Sequence, residues 1–157
     1  MHSTLGKMNT WISIRRAEAK DSAALARIFM ESRLEAFYWQ NPARFRLEDF
    51  EKETAGETVF VAEDGSGKML GFISVWEPER FVHHLYVAPD QQRRGIGKRL
   101  LESLSSWLPL PYRLKCKVKN EAACAFYRKN GWVETGRDTD EHGEYLELEF
   151  HGFKAPC

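Results

Sequence analysis

The stretch LYVAPDQQRRGIGKRLL occupies residues 85–101 and decides how the rest of the chain is interpreted. It begins with an apolar segment that predicts a strand, passes a proline, and ends in an amphipathic segment that predicts a helix. Between them lie Gly95 and Gly97, surrounded by the basic residues Arg93, Arg94, Lys98 and Arg99. The first N–H groups of a helix have no partner within it and carry partial positive charge. The stretch therefore predicts a site for an oxyanion such as a phosphate or pyrophosphate.

The composition limits the class of protein. The 157 residues include 23 Lys and Arg and 23 Asp and Glu, so the net charge is zero. A nucleic-acid-binding domain usually carries a basic excess, so we expect no nucleic acid as a partner. No apolar run reaches the roughly 18 residues that a membrane-spanning helix needs, so we expect no membrane association. We predict a single domain over residues 11–152, preceded by a disordered or expression-derived tail over residues 1–10.

The three cysteines are Cys116, Cys124 and Cys157. Their number is odd and no close pair stands among them, which argues against a disulfide framework and against a zinc site. No motif supports a catalytic pair of cysteine and histidine. We expect Cys116 and Cys124 to be small packing residues, no bound metal, and a reducing, cytoplasmic location.

The hydrophobic pattern predicts an order of strand, two helices, three strands, helix, strand, helix and two strands. Strands are expected over residues 11–16, 58–63, 69–76, 80–87, 112–118, 132–137 and 145–150, and helices over residues 22–37, 47–54, 96–107 and 120–130. Asp21 or Ser22 is expected to cap the first helix and Asn120 the last. This order indicates an α+β, sandwich-like fold. We expect a mixed, mainly antiparallel sheet of about six or seven strands, flanked by about four helices.

Two motifs resemble the acetyl-CoA-binding region of the GNAT superfamily of N-acyltransferases. The first is the opening stretch, with its pattern Gln92-x-x-Gly95-x-Gly97. The second is NEAACAFYRKNGW over residues 120–132, which is similar to the family's Asn…Ala…Phe-Tyr…Gly-Phe block, with Trp132 in place of the usual phenylalanine. Alone, the two glycines would fit a simple turn among solvated charges equally well. The element order also matches the family over nearly the whole chain.

The resemblance implies how acetyl-CoA, as co-substrate, would be bound. Backbone N–H groups in the turn after the strand would hold the pyrophosphate, and the strand itself would pair with the pantetheine arm. Asn120 would meet the cofactor where neighbouring strands splay. The implied cofactor-binding residues are Leu85, Val87, Gln92, Arg93, Arg94, Gly95, Ile96, Gly97, Lys98 and Asn120.

The resemblance also implies direct attack of an amine on acetyl-CoA in a ternary complex. Tyr127 would be the general acid that protonates the departing thiolate. Alternation along the strand places His83 on the face of Leu85 and Val87, so His83 is predicted to be the base or part of a water relay. His84 is the second candidate and Glu77 the third. Many relatives carry a glutamate where this chain has Phe81.

The amine acceptor is expected to lie against the first helix and the segment that follows it. Trp39, Phe45 and Trp76 could wall a pocket, and the acidic loop over residues 138–143, with Asp138, could attract a cationic amine. The acceptor is left open among polyamines, amino acids, drugs and protein amines, and a homodimer is compatible with the family. The alternative function is a catalytically silent acyl-CoA-binding or sensor module, which the missing glutamate favours.

Overall fold

A seven-stranded sheet forms the centre of the computed structural model, which describes residues 11–152. The strands are β1 (Ile12–Arg16), β2 (Thr58–Asp64), β3 (Met69–Trp76), β4 (Phe81–Val87), β5 (Tyr112–Lys117), β6 (Val133–Asp140) and β7 (Gly143–Phe150). The α-helices are α1 (Ser22–Ala36), α2 (Asp49–Thr54), α3 (Ile96–Ser103) and α4 (Glu121–Lys129). The predicted fold class is confirmed. The predicted tail over residues 1–10 and Cys157 lie outside the described residues.

The strands lie side by side in the order β1-β2-β3-β4-β5-β7-β6. Over residues 11–152, β4 and β5 are the parallel neighbours and every other adjacent pair is antiparallel. The parallel contact is short: Phe81 pairs with Arg113, and the Arg113 N–H donates to the Arg80 carbonyl over 3.0 Å. Beyond that point the two strands diverge, which opens the sheet between their carboxyl ends.

Helices cover both faces of the sheet. Helix α3 buries Ile96 and Leu100 in a core that includes the inward side chains of β5 and β7. Helix α1 buries Leu25 and Phe29 on the other face, where the Phe29 ring meets the Phe72 ring edge to face, with centroids 6.0 Å apart. The apolar side of each helix packs against the sheet and holds the helix in place. The two layers fix α1 and α3 on opposite sides of β4.

The residue before α1 does not use its side chain to cap the helix. The Asp21 carboxylate accepts hydrogen bonds from the Arg15 guanidinium over 2.9 and 3.0 Å and from the Glu18 N–H over 2.7 Å. The hydrogen bonds from Arg15 are the main reason that the pKa of Asp21 is lowered. Asp21 thus occupies the N-cap position, as one of the two expected residues, but its carboxylate is engaged by Arg15 on β1 and makes no capping hydrogen bond. Asn120 does cap α4, since its side-chain oxygen accepts from the Ala123 N–H over 3.3 Å.

The last two strands are longer than the pattern predicted. β6 continues to Asp140 and β7 begins at Gly143, so the expected loop over residues 138–143 shrinks to the turn at Glu141 and His142. Gly143 has φ +116°, which favours glycine in a turn this tight. The carboxylate of Asp140 lies 2.5 Å from the Lys117 ammonium group on β5. Because this ion pair crosses the sheet, local sequence could not reveal it.

The third helix is shorter than the hydrophobic pattern predicted. It ends at Ser103, and the chain continues as a short 3-10 turn over Leu104–Ser106. Cys116 and Cys124 are both buried, with their sulfur atoms 3.3 Å apart. Among residues 11–152, no helix has the length and the apolar character needed to cross a bilayer.

Candidate active site

A cleft of about 860 Å³ occupies the gap between β4 and β5. Its walls come from the end of β4, the turn before α3 with the start of that helix, the end of α1 and the length of α4. Most of the predicted cofactor and acid residues line it: Leu85, Val87, Gln92, Arg93, Gly95, Ile96, Gly97, Lys98, Asn120 and Tyr127. The remaining predicted residues are not among its lining residues: Arg94, His83, His84, Trp39, Trp76 and Asp138.

The turn before α3 has the backbone expected of an anion site. Arg93 and Gly95 are in the left-handed region, with φ +68° and +73°. Gly95 is the N-cap of α3, and no side chain in the described part of the chain caps the helix there. The backbone amides of the first turn of α3 therefore have no side-chain acceptor. They belong to Ile96, Gly97 and Lys98, which line the cleft. Backbone amides and the helix dipole together favour an anion at this place.

The two glycines of the motif are needed for different reasons. Gly95 has open space around an added Cβ, so its requirement is the positive φ. A Cβ on Gly97 would stand 3.2 Å from Cζ of Phe126 and 3.7 Å from Cγ2 of Val87. Gly97 therefore allows α3 to approach both α4 and β4 closely.

Tyr127 reaches the cleft from α4. Its side chain is 9% exposed, and its ring packs edge to face against Trp132, with centroids 5.7 Å apart. Trp132 thus supports the tyrosine from behind. Burial raises the pKa of Tyr127, so the phenol stays protonated at neutral pH.

The predicted direction of His83 is wrong because β4 contains a bulge. Ser74 pairs with His84 and Val75 pairs with Val82, so His83 is an extra residue without a partner in the register. Its ring stacks on the His84 ring with centroids 3.8 Å apart, so both imidazoles lie on one side of the strand. That side faces α1, because the His84 ring lies 4.7 Å from the Phe29 ring.

Neither of the other base candidates lines the cleft. His84 is 7% exposed, and burial lowers the pKa of its imidazole well below the ordinary value, helped by electrostatic repulsion from neighbouring groups that include Arg33. The carboxylate of Glu77 accepts a hydrogen bond from the hydroxyl of Thr58. The His84 ring is thus held by packing on Phe29, and the Glu77 carboxylate by its hydrogen bond from Thr58.

The aromatic residues that were predicted to form a wall of the acceptor pocket do not line the cleft. Trp39 contacts the rings of Phe37 and Tyr38, and the Lys119 ammonium group lies 5.8 Å from its ring. Tyr38 and Lys119 line the cleft in its place. The other predicted wall and acceptor residues pack elsewhere: Phe45 is buried beside Phe37, Trp76 lies over Gly56, and Asp138 is exposed on β6.

Ser32 and Tyr86 are among the lining residues that the sequence pattern did not single out. Ser32 is buried on α1, and its hydroxyl donates to the Val87 carbonyl over 3.3 Å. Tyr86 is partly buried on β4, and the burial of its phenol raises the pKa of that group. A serine three residues after Phe29, within the apolar face of a helix, is a signal that could have identified Ser32.

Comparison with known proteins agrees with the geometry. A family model described as "Acetyltransferase (GNAT) domain" matches residues 55–134. The peptidyl-lysine N-acetyltransferase YiaC of Escherichia coli is 31% identical over 76% of this chain and 82% of its own length. The L-amino acid N-acyltransferase MnaT of E. coli is 35% identical over 88% of this chain and 91% of its own. The PaiA N-acetyltransferase from Thermoplasma acidophilum, solved in complex with coenzyme A, superposes with a TM-score of 0.73 at 20% identity, covering 90% of this chain and 99% of that one.

Proposed function

The chain belongs to the GNAT superfamily and is an acetyl-CoA-dependent N-acetyltransferase, and we propose that its amine acceptor attacks acetyl-CoA directly in the cleft between β4 and β5. One observation carries this proposal: the turn before α3, the end of β4 and Tyr127 line the same cleft. In the reaction the amine nitrogen bonds to the thioester carbonyl carbon, the carbon–sulfur bond breaks, and the thiolate of CoA leaves.

The pyrophosphate of acetyl-CoA would bind at the free amides before α3. Lys98 and Arg93 line this part of the cleft and add full positive charges to the partial charge of the helix. Gly95 and Gly97 put no side chain between the backbone and the ligand. These features together support a site for a multiply charged anion.

The pantetheine arm would lie along the end of β4. The Ala88 N–H donates to the Leu70 carbonyl on β3 over 2.8 Å, so alternation directs the backbone groups of Leu85 and Val87 away from β3 and toward the cleft. The Ser32 hydroxyl already donates to the Val87 carbonyl from that side. An extended chain with amide groups can pair with such an edge as an added strand would.

Tyr127 would protonate the departing thiolate. A thiol has a pKa of about 8.5, so the departing thiolate takes up a proton at neutral pH, and a phenol in the cleft can supply that proton as the carbon–sulfur bond breaks. Because the phenol is protonated throughout the neutral range, it is always ready to donate. Tyr86 also lines the cleft, and we assign it to packing because its ring contacts Phe29 and Phe72.

Water in the cleft would take the proton of the attacking amine. An amine must be neutral to attack, and the sequence pointed to His83 or a water relay. The bulge turns His83 toward α1, and His83 is not among the lining residues, so we favour the relay. Release of this proton to water requires no side-chain base in contact with the acceptor.

The acceptor would be a primary amine that is cationic in solution. The carboxylate of Glu35 lines the cleft at the end of α1, close in sequence to Tyr38, which lines it too. A carboxylate at this mouth attracts an ammonium group before it loses its proton. Lysine peptides and free amino acids, the acceptors named for the two relatives, are both of this chemical class.

Release of free thiol from acetyl-CoA tests the proposal. Purified protein is mixed with acetyl-CoA and, in separate reactions, a lysine peptide, free amino acids, a polyamine and an N-terminal peptide, and acetylated product is identified by mass spectrometry. We expect thiol release that depends on one of these amines and matches the acetylated product in amount. Thiol release that is the same with and without every amine would contradict direct transfer.

A further inference from the structure

Two histidines and two glutamates form a cluster beside β4 that acetyl transfer does not use. It consists of Glu53 on α2, Glu57 in the segment before β2, and His83 and His84 on β4. Ligand atoms of Glu53, His83 and His84 all lie within 4.8 Å of one another. No member of this histidine–glutamate cluster lines the cleft. The cluster therefore calls for an explanation of its own.

The bulge in β4 is what brings the two imidazoles together. In a regular strand, neighbouring side chains point to opposite faces of the sheet. The extra residue at His83 cancels this alternation, and the two rings stack with an interplanar angle of 28°. Two consecutive histidines can thus contribute to a single site.

Two buried polar atoms of the cluster have no hydrogen-bond partner among residues 11–152. One is Nε2 of His84, whose side chain is 7% exposed, and the other is Oε1 of Glu57, whose side chain is also 7% exposed. Buried polar atoms are rarely left unpaired in folded proteins. Oε1 of Glu53 is the nearest acid to His84, but at 3.9 Å it is too far for a hydrogen bond. An ion bound to Nε2 of His84 would satisfy that atom.

Glu57 prepares His83 to act as a ligand. Nδ1 of His83 lies 2.6 Å from Oε2 of Glu57. A metal-binding histidine commonly donates its other ring N–H to a carboxylate, which fixes the tautomer and directs the free lone pair to the ion. This contact leaves Nε2 of His83 as the atom available for coordination.

We propose that Glu53, His83 and His84 bind a zinc ion and that Glu57 orients His83 as an outer carboxylate. Two imidazoles and one carboxylate are a set that zinc accepts, with water as the fourth ligand. Magnesium and calcium prefer oxygen ligands throughout. Donor atoms in a zinc site lie closer together than 4.8 Å, so the side chain of Glu53, which is 41% exposed, would turn inward on binding.

One nearby positive charge opposes the ion. The guanidinium of Arg33 lies 3.4 Å from Oε2 of Glu53. Its shorter contact is with Asp49, at 3.0 Å, and its carbon Cζ lies 3.7 Å from the centre of the Phe29 ring. These partners hold Arg33 in place when Glu53 turns to the ion. Bound zinc would join α2 to β4 and stabilise the fold outside the cleft.

Zinc titration of chelator-treated protein tests the site, independently of any acetyl transfer. The titrant is zinc chloride, binding is measured by calorimetry, and the melting temperature is recorded with and without zinc. We expect one zinc per chain and a higher melting temperature in its presence, while magnesium chloride has neither effect. The Co²⁺ complex should show a tetrahedral spectrum without a thiolate band, which separates this site from one built on cysteine.

Two variants and a matched control locate the ion. Glu53→Gln and His83→Gln each replace one proposed ligand with an amide, and both positions are partly exposed. We expect either change to lower zinc affinity by at least about tenfold. Glu51→Gln removes an exposed carboxylate from the same helix outside the cluster and should leave zinc affinity unchanged. Absence of stoichiometric zinc binding would overturn the proposal. Binding that is as tight in both cluster variants as in Glu51→Gln would overturn it as well.

Discussion

The hydroxyl of Ser32 on α1 donates a hydrogen bond to the main-chain carbonyl of Val87 on β4 over 3.3 Å. This contact joins the helix and the strand at the edge where the pantetheine arm is proposed to bind. It also satisfies a buried hydroxyl within the apolar face of α1. Ser32 therefore fixes the distance between two walls of the cleft.

Replacement of Ser32 by alanine should lower stability more than activity. The change removes one buried hydrogen bond, so we expect the free energy of unfolding to fall by about 1 kcal/mol. Gln92 still reaches the Val87 carbonyl over 3.5 Å, so kcat should stay within about twofold of wild type. Urea denaturation and steady-state kinetics measure the two quantities. Ser105→Ala, at an exposed position, is the control and should change neither.

Replacement of Tyr127 by phenylalanine should remove the general acid. We expect kcat to fall by about 10² or more, because positioned acids typically contribute that factor. The melting temperature should change little, since the ring and its packing on Trp132 are kept. Initial rates of thiol release at saturating acetyl-CoA and amine give kcat.

Tyr112→Phe is the matched control for that experiment. Tyr112 is buried outside the cleft, and its hydroxyl donates to the Leu108 carbonyl over 3.1 Å. Loss of this bond should cost about 1 kcal/mol of stability and leave kcat unchanged. An unchanged kcat in Tyr127→Phe would show that another group, such as Tyr86 or water, protonates the thiolate.

Replacement of Glu35 by glutamine should weaken capture of a cationic acceptor. We expect KM for the amine to rise about two- to fivefold with little change in kcat, since an exposed ionic contact contributes up to about 1 kcal/mol. The increase should shrink at high salt. Glu31→Gln lies one helical turn earlier, outside the cleft, and should behave as wild type. Equal KM values in both variants would remove Glu35 from acceptor binding.

Replacement of Asp21 by asparagine should reduce stability in a pH-dependent way. The pKa of Asp21 is lowered in the folded protein, chiefly by its hydrogen bonds to Arg15, so the carboxylate stabilises the fold above the ordinary Asp pKa of about 3.9. This stabilisation is lost as the pH falls through the folded pKa. We expect wild type to exceed the variant by about 2 kcal/mol at pH 7 and the difference to narrow below about pH 4.

Denaturation curves at several pH values measure this difference. Asp138→Asn, at an exposed position on β6, is the control and should track wild type at every pH. A gap between wild type and Asp21→Asn that stays constant down to pH 2 would mean that packing of the side chain, and not its charge, stabilises the fold.

The cleft could be predicted in large part because its signals are local. The left-handed turn needs Gly95, the close approach of α3 needs Gly97, and the cap of α4 needs Asn120, and each requirement appears in a short stretch of sequence. The order of strands and helices follows from hydrophobic periodicity in the same way. Signals of this kind can be recognised in the sequence without knowledge of contacts between distant segments.

What could not be predicted depends on contacts between distant segments. The direction of His83 depends on a bulge in the pairing of β3 with β4, which alternation within β4 alone does not reveal. The β6–β7 hairpin extends to Asp140, whose carboxylate forms an ion pair with Lys117 on β5. The cluster of Glu53 with the histidines likewise requires α2 to pack beside β4. Tertiary packing decided each of these features.

The most direct test of acetyl-CoA binding in the cleft compares two neighbouring charge reversals. Lys98 and Arg99 are both exposed in the first turn of α3, but only Lys98 lines the cleft. Calorimetric titration with acetyl-CoA at physiological salt gives the dissociation constant of each variant. We expect Lys98→Glu to bind about 10- to 100-fold more weakly than wild type, and Arg99→Glu to stay within about threefold. Equal dissociation constants for wild type and a folded Lys98→Glu would contradict the placement of the pyrophosphate before α3.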